Sequence, residues 1–350
     1  MFFLVRLPTE PLAFRHIRYC GRKRNERVEK MKKNGFRAVL AALFLVLLST
    51  SVWAAEMLVP VGRAVGLELE AAGLAVAELD AQLGAHARDA GLEVGDIIIK
   101  ADGQAVPNAA ALQEAVDRSK GGLVLTVLRN GEEMNVTVTP VEHEGRRRLG
   151  IYVREGIAGV GTVTYYDPET GAFGALGHGV SDAHGNLLPL QAGSAMEAEI
   201  ISVKKGRAGT PGQLQGSFQK DAVLGELEKN TRCGIFGVTS AGWAGIPLPV
   251  AEVSQIHTGP ATILSNVTGT EVQEYSVEIL KLYPGEKACG RNLLLHVTDA
   301  ALLEATGGIV QGMSGSPIIQ DGKLAGAVTH VFVQDASRGY GILIENMLEH

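Results

Sequence analysis

At 350 residues, with 44 glycines and only 20% charged side chains, the chain can bury two cores and favours short strands and tight turns over long solvated helices. Its net charge of −6 deepens without residues 1–54, which hold eleven Lys/Arg and three Asp/Glu: 21 basic against 35 acidic residues remain, a net charge near −14. That balance repels phosphate backbones and argues against nucleic-acid binding.

From Met31 the chain reads "MKKNGFR" and then the apolar run "AVLAALFLVLLSTSVWAA", a basic head, an apolar stretch and a small-residue cleavage position after Ala54 or Ala55. Residues 31–55 are thus expected to be a signal peptide or a signal anchor, and the protein to be exported, secreted or held at the membrane by this segment alone. Residues 1–30, with the basic tract "RHIRYCGRKRN", become a surplus extension, disordered or not native to the protein.

Residues 56–142 show strand-like alternation in "LVPVGRAVGLELEAAGLAVAEL". A short helix, a glycine turn and a buried strand follow in "AQLGAHARDAGLEVGDIIIKADGQAV", then helical spacing in "NAAALQEAVDRS" and a hairpin turned at Asn130-Gly131. This order resembles a PDZ domain, most specifically in "AGLEVGDIIIKADGQAV". The resemblance implies a groove between a strand and the second helix in which a C-terminal or internal peptide adds as a further strand. The loop "GRAVGLEL", centred on Val65, Gly66 and Leu67, would then offer its N–H groups to a terminal carboxylate. A small β-rich domain without a ligand of its own is the plainer reading.

The polar stretch over residues 143–150, within "EHEGRRRLG", reads as a linker, and residues 151–350 change to glycine-punctuated strands. Val160–Tyr166 alternates, "DPETG" turns, and the returning strand ends at "GALGHG", placing His178 at a strand end between two glycines, where its near-neutral titration suits a general base. His184 lies six residues on, but no carboxylate or cysteine cluster with ligand spacing accompanies the pair, so no metal and no other cofactor is expected. Residues 185–295 exceed what one barrel half needs and read as extra strands with long connections. Three cysteines, Cys20, Cys233 and Cys289, make no disulfide framework but leave one Cys233–Cys289 bridge open.

In "GMSGSP" a serine stands between two glycines ahead of the strand-like "IIQDGKLAGAVTHVFV", an exposed position suited to a nucleophile. Ser316 shares the turn but precedes Pro317, which makes it a turn residue. His178, Asp299 in "LLLHVTDAALLEATGG" and Ser314 fall in the chain order His, Asp, Ser, that of chymotrypsin-like enzymes, with the Gly312 and Ser314 N–H groups as the oxyanion hole. Asp299 also reads as a helix cap, and Asp182, four residues after His178, is a rival orienting acid.

Together "GVGTVTYYDP", "FGALGHG", "IVQGMSGSPIIQDGKLAGAVTHVFV" and "GYGILIENML" resemble the SpoIVB peptidases, the stage IV sporulation serine peptidases of endospore-forming bacteria. The resemblance carries the catalytic roles to His178, Asp299 and Ser314. It implies a peptidase that processes itself and cleaves a membrane-tethered regulator between forespore and mother cell, triggering a late sigma factor. The expected fold is mostly β: a chymotrypsin-like double β-barrel peptidase domain after an α+β PDZ domain. The turn at Gln320–Lys323 puts His330 on the returning strand, facing either the specificity pocket or the barrel. The competing function is a non-catalytic peptide-binding signalling module on a peptidase fold.

Overall fold

The computed structural model describes residues 56–182, 185–285 and 289–349; the expected extension, leader or anchor over 1–55, and His184, lie outside the described residues. Strands β1 (Met57–Pro60) and β2 (Ala64–Leu79) lead into α1 (Ala85–Asp89), β3 (Ile97–Ala101), β4 (Gln104–Ala105) and α2 (Ala109–Arg118). Asn108 caps α2 by accepting from the Ala111 N–H at 2.9 Å, and the helix buries Leu112, Ala115 and Val116. The hairpin of β5 (Leu123–Arg129) and β6 (Glu132–Val138) turns on Asn130 and Gly131, both left-handed, as a two-residue turn between twisted strands requires. The stretch expected as a linker is itself a hairpin, β7 (Val141–His143) and β8 (Arg146–Arg148).

Next come β9 (Ile151–Tyr166), β10 (Ala172–Ala175), β11 (Leu190–Lys204), β12 (Gln213–Thr231), β13 (Gly234–Val238) and β14 (Leu248–Pro249). They are followed by β15 (Gly259–Ser265), β16 (Gln273–Leu282), β17 (Leu293–Val297) and α3 (Ala300–Thr306). The chain closes with β18 (Pro317–Gln320), β19 (Lys323–Phe332), β20 (Asp335–Leu343) and α4 (Ile344–Leu348).

Two closed barrels result. In the first, β2, β9, β10, β13, β12 and β11 pair in that circular order, the β2–β9 ladder closing the ring around Leu67, Leu69, Val163, Phe173 and Ile235. In the second, β15, β16, β17, β20, β19 and β18 close around Ile263, Val277, Leu295, Ile318 and Val328. The alternation that builds them is plain in β16, where Tyr275, Val277 and Ile279 are buried while Ser276 and Glu278 face solvent. Among the described residues no helix is long and apolar enough to cross a membrane.

A third core, containing Leu74, Ile98, Leu112, Val116, Leu125 and Val136, packs the far half of β2 with β3, β5, β6 and α2. One correction to the sequence reading follows directly. Val65, Gly66 and Leu67 were expected in a carboxylate-binding loop; they lie inside β2, opposite Gly161, Val160 and Gly159 of β9 on one side and Glu197, Met196 and Ala195 of β11 on the other. Flanked on both edges, they are barrel staves, and a ligand strand has no edge to join there. β2 also carries the first barrel across the boundary expected near residue 142.

Candidate active site

The turn ahead of β18 is held by the first barrel. Thr162, buried in β9, donates its hydroxyl to the Gly312 carbonyl at 2.7 Å and its N–H to the Ser314 carbonyl at 3.0 Å. The second barrel secures the turn from its other side through Gly315 N–H to Val328 O, 2.8 Å, and Val328 N–H to Ser316 O, 2.9 Å. Gly315 is left-handed at φ 99°, and a Cβ there would fall on the Thr162 carbonyl oxygen, so the "SGS" glycine is sterically obligatory. With both carbonyls taken by Thr162, neither the Gly312 nor the Ser314 N–H enters a hydrogen bond among the described residues. Two unspent donors beside a partly exposed serine form the arrangement an oxyanion hole requires.

His178 reaches the same cleft from the first barrel. Leu176, at φ 68°, and Gly177, at φ 66°, are both left-handed, and a non-glycine residue in that region marks local backbone strain at the point where the imidazole is presented. The ring Nδ1 lies 3.0 Å from the Gly179 carbonyl oxygen. A carbonyl only accepts, so in the neutral ring Nδ1 carries the proton and Nε2 is left as the base. Burial lowers the His178 pKa below the ordinary histidine value, with the Gly179 bond opposing it, so the ring is neutral at pH 7. His178, Ser314, Thr329 and His330 line one cavity of about 440 Å³ between the barrels.

His178 and Ser314 are therefore brought together, but the Ser314 hydroxyl donates to the Thr329 carbonyl at 2.6 Å. His330 stands 5.0 Å from His178, ring centre to ring centre. Partial burial, then the facing His178 and Arg291, push its pKa down to about 4, against a hydrogen bond to the Gly290 carbonyl. Ser316 is fully buried, which removes it as a nucleophile.

Asp299, expected to orient His178, is placed elsewhere. Its carboxylate accepts from the Leu302 N–H at 3.0 Å and the Ser276 N–H at 3.3 Å, capping α3, and it does not line the cleft. The position facing Nδ1 is held by the Gly179 carbonyl instead. Asp182 lines a second cavity with His178 and His330, and its carboxylate accepts from the Asn186 N–H at 2.9 Å. Among the described residues no group of three or more His, Cys, Asp or Glu could hold a metal ion; the His178/His184 pair includes a residue outside them.

Cys233 and Cys289 are bonded, with Cα atoms 4.9 Å apart. The bridge joins the β12–β13 turn of the first barrel to the β16–β17 connection of the second. The Arg232 carbonyl of the former accepts from the Gly179 N–H at 3.3 Å, and the Gly290 carbonyl of the latter accepts from the Thr329 hydroxyl. Thr162 and the Gly179 carbonyl escaped the sequence reading. Thr162 left a faint signal, a threonine between Gly161 and Val163 in the buried end of β9, whereas a main-chain carbonyl leaves none.

A probable periplasmic serine endoprotease DegP-like protein of Halomonas elongata is 41% identical over 93 residues, 25% of this chain and 19% of the relative, so the chain spans about a fifth of the curated relative it matches. Among solved structures, the Rv3671c protease in an inactive form aligns at a TM-score of 0.32 and 14% identity over 55% of this chain and 82% of that one. An inactive variant of Rv3671c from M. tuberculosis H37Rv gives 0.28 and 14% over 55% and 79%. The family model described as SpoIVB peptidase S55 matches residues 145–348, more than half of the sequence and all of the cleft's second barrel. The chain belongs to the SpoIVB peptidase S55 family.

Proposed function

We propose that the protein is an exported serine endopeptidase with Ser314 as nucleophile and His178 as general base. The observation that carries this is the pair of unspent N–H donors, Gly312 and Ser314, beside a hydroxyl and a neutral imidazole in one cleft. Rotation of Ser314 Oγ from the Thr329 carbonyl toward His178 Nε2 prepares attack; loosely aligned catalytic hydrogen bonds are common before substrate arrives. Oγ then bonds to the scissile carbonyl carbon as its proton passes to Nε2, and the oxyanion is met by the two N–H groups. The C–N bond breaks as Nε2 returns the proton to the leaving amine, and a water, deprotonated by the same nitrogen, hydrolyses the acyl-enzyme. Asp299 enters this proposal as the cap of α3 rather than as the group touching His178.

Export is supported by the residue 31–55 leader or anchor pattern and by the periplasmic relative; a disulfide across the cleft suits an oxidising compartment. The family's name supports a place in sporulation; within it the proposal extends to self-processing and to cleavage of a membrane-tethered regulator that signals a late sigma factor in the space between forespore and mother cell. The peptide-reading role of the PDZ-like region is moved to a cavity of about 850 Å³ between Leu112, Gln113 and Val116 of α2 and residues 145–153. Gln113→Arg, at an exposed position of α2 that lines this cavity, should weaken binding of a labelled peptide there, and equal binding in the variant would remove that role.

A fluorophosphonate probe should label the wild-type chain and not Ser314→Ala, with turnover of a peptide substrate lost in parallel. Labelling of both would take the nucleophile away from Ser314, and labelling of neither would favour the non-cleaving module.

A further inference from the structure

The cavity beside Ser314 has an unusually uniform lining. Leu69 of β2 with Ile157 and Val160 of β9 form one wall, and Val310, Val331 and Val333 form the other, so each barrel contributes half. Among the described residues no Asp, Glu, Lys or Arg lines it. Its polar groups are largely committed: the Ser314 hydroxyl to the Thr329 carbonyl, and the Thr329 hydroxyl and the His330 ring to the Gly290 carbonyl. Val160 and Val331 are half-buried and Val333 is 49% exposed, so the apolar surface is open to a ligand at its mouth while Leu69 and Val310 are sealed behind it.

Position relative to the reacting atoms decides what enters. Gln311, Gly312 and Ser314 belong to the same lining, so the cavity starts at the oxyanion donors. A substrate whose scissile carbonyl oxygen points at the Gly312 and Ser314 N–H groups places the side chain of that same residue into this space. A charged side chain there would lose its water and find no counter-charge among the lining residues, a heavy cost in an apolar wall. A branched or unbranched aliphatic chain would exchange water for apolar contact on both sides.

We propose that the protein cleaves after uncharged aliphatic residues, with Val331, Val160 and Ile157 as the specificity-determining wall. This rests on the peptidase reading above. It also displaces the expectation that His330 selects a polar side chain, since that ring is bonded to Gly290 and the walls facing the ligand are the aliphatic side chains of both barrels.

The test is a cleavage-site profile of the full chain on a mixed peptide library, read by mass spectrometry, with fluorophosphonate labelling of Ser314 run on every sample. Cuts after Leu, Val or Met should exceed those after Lys, Arg, Asp or Glu by about 100-fold or more in kcat/KM, the scale expected when a pocket cannot satisfy a polar group. Val331→Asp should shift the profile toward Lys and Arg while labelling persists. Ile157→Ala, which buries no charge, should shift it toward larger apolar residues and serves if the aspartate variant does not fold. A labelled wild type that cuts after charged residues or without preference overturns the inference, as does an Ile157→Ala profile identical to wild type in folded protein. Absence of both labelling and cleavage would instead overturn the peptidase reading, and the pocket's role with it.

Discussion

The Ser314 hydroxyl donates to the main-chain oxygen of Thr329, 2.6 Å away, on the strand that carries His330. The proposed nucleophile thus donates to a group that cannot take its proton, while the His178 imidazole lines the same cleft. Ser314→Ala and His178→Ala should each lower turnover on the order of a millionfold while the melting temperature hardly moves, because each removes chemistry and neither empties a core. Activity remaining in Ser314→Ala would return the nucleophile to another residue.

The acid limb of activity should lie low. Burial depresses the His178 pKa, and in the proposed mechanism the neutral ring is the base, so kcat/KM should be full above that pKa and fall as pH drops through it, with a midpoint below the ordinary 6.5. His330 has the same sign in stability. The unfolded chain takes up a proton near 6.5 and the fold only near 4, so stability is full above 6.5 and declines between those values as pH falls. An acid midpoint at or above 6.5 in the rate profile would contradict the burial of His178.

Thr162 is a positioning residue: it holds the Gly312 and Ser314 carbonyls and so fixes the turn whose Gly312 and Ser314 N–H groups the proposal uses. Thr162→Val should cost about 10- to 100-fold in kcat with little change in KM, less than the 10²–10³ of losing an oxyanion donor outright. Thr162→Ser should restore most of it. A loss shared equally between kcat and KM would point to binding rather than to the oxyanion.

Asp299 caps α3, and asparagine caps a helix as well as aspartate does. Asp299→Asn keeps the bond from the Leu302 N–H and loses the longer one from the Ser276 N–H, so it should lower thermal stability less than Asp299→Ala, which should cost about 1 kcal/mol. Measuring turnover on the same two proteins separates the cap from any orienting role: a large loss of kcat in the asparagine variant with only that smaller loss of stability would place the carboxylate in the chemistry.

Asp96 is fully buried and takes two bonds from Arg129, each 2.7 Å, while Arg129 also reaches Glu93 at 2.8 Å and the Gly91 carbonyl at 2.7 Å. This network staples the "GLEVGD" turn to β5. Asp96→Ala, which strands the guanidinium, should destabilise by about 3–5 kcal/mol, and adding Arg129→Met should recover part of it. Additive losses in the double variant would show that the two side chains act separately.

The class of fold was legible because period-two alternation and the Asn130-Gly131 and Asp321-Gly322 turns are local signals, and both turns are left-handed as those residue types allow. Barrel closure was not legible. It joins Ala64–Leu79 to Ile151–Tyr166 across more than seventy residues, and a strand's own pattern does not say which strand will flank it. The same blindness put Val65, Gly66 and Leu67 in a loop. At the site, His178 and Ser314 announced themselves by their glycine flanks. Asp299 shows why order alone is weak: an aspartate before "AALLEAT" looks the same whether it orients a histidine or caps a helix.

The passage of β2 through the first barrel has a consequence for how the gene can be divided. The matched family segment begins at residue 145, yet two of the first barrel's ladders, to β9 and to β11, are made by a strand that ends at residue 79. Expressed without its N-terminal part, the segment would present two long, raw strand margins where a stave is missing. Such margins recruit one another into aggregates.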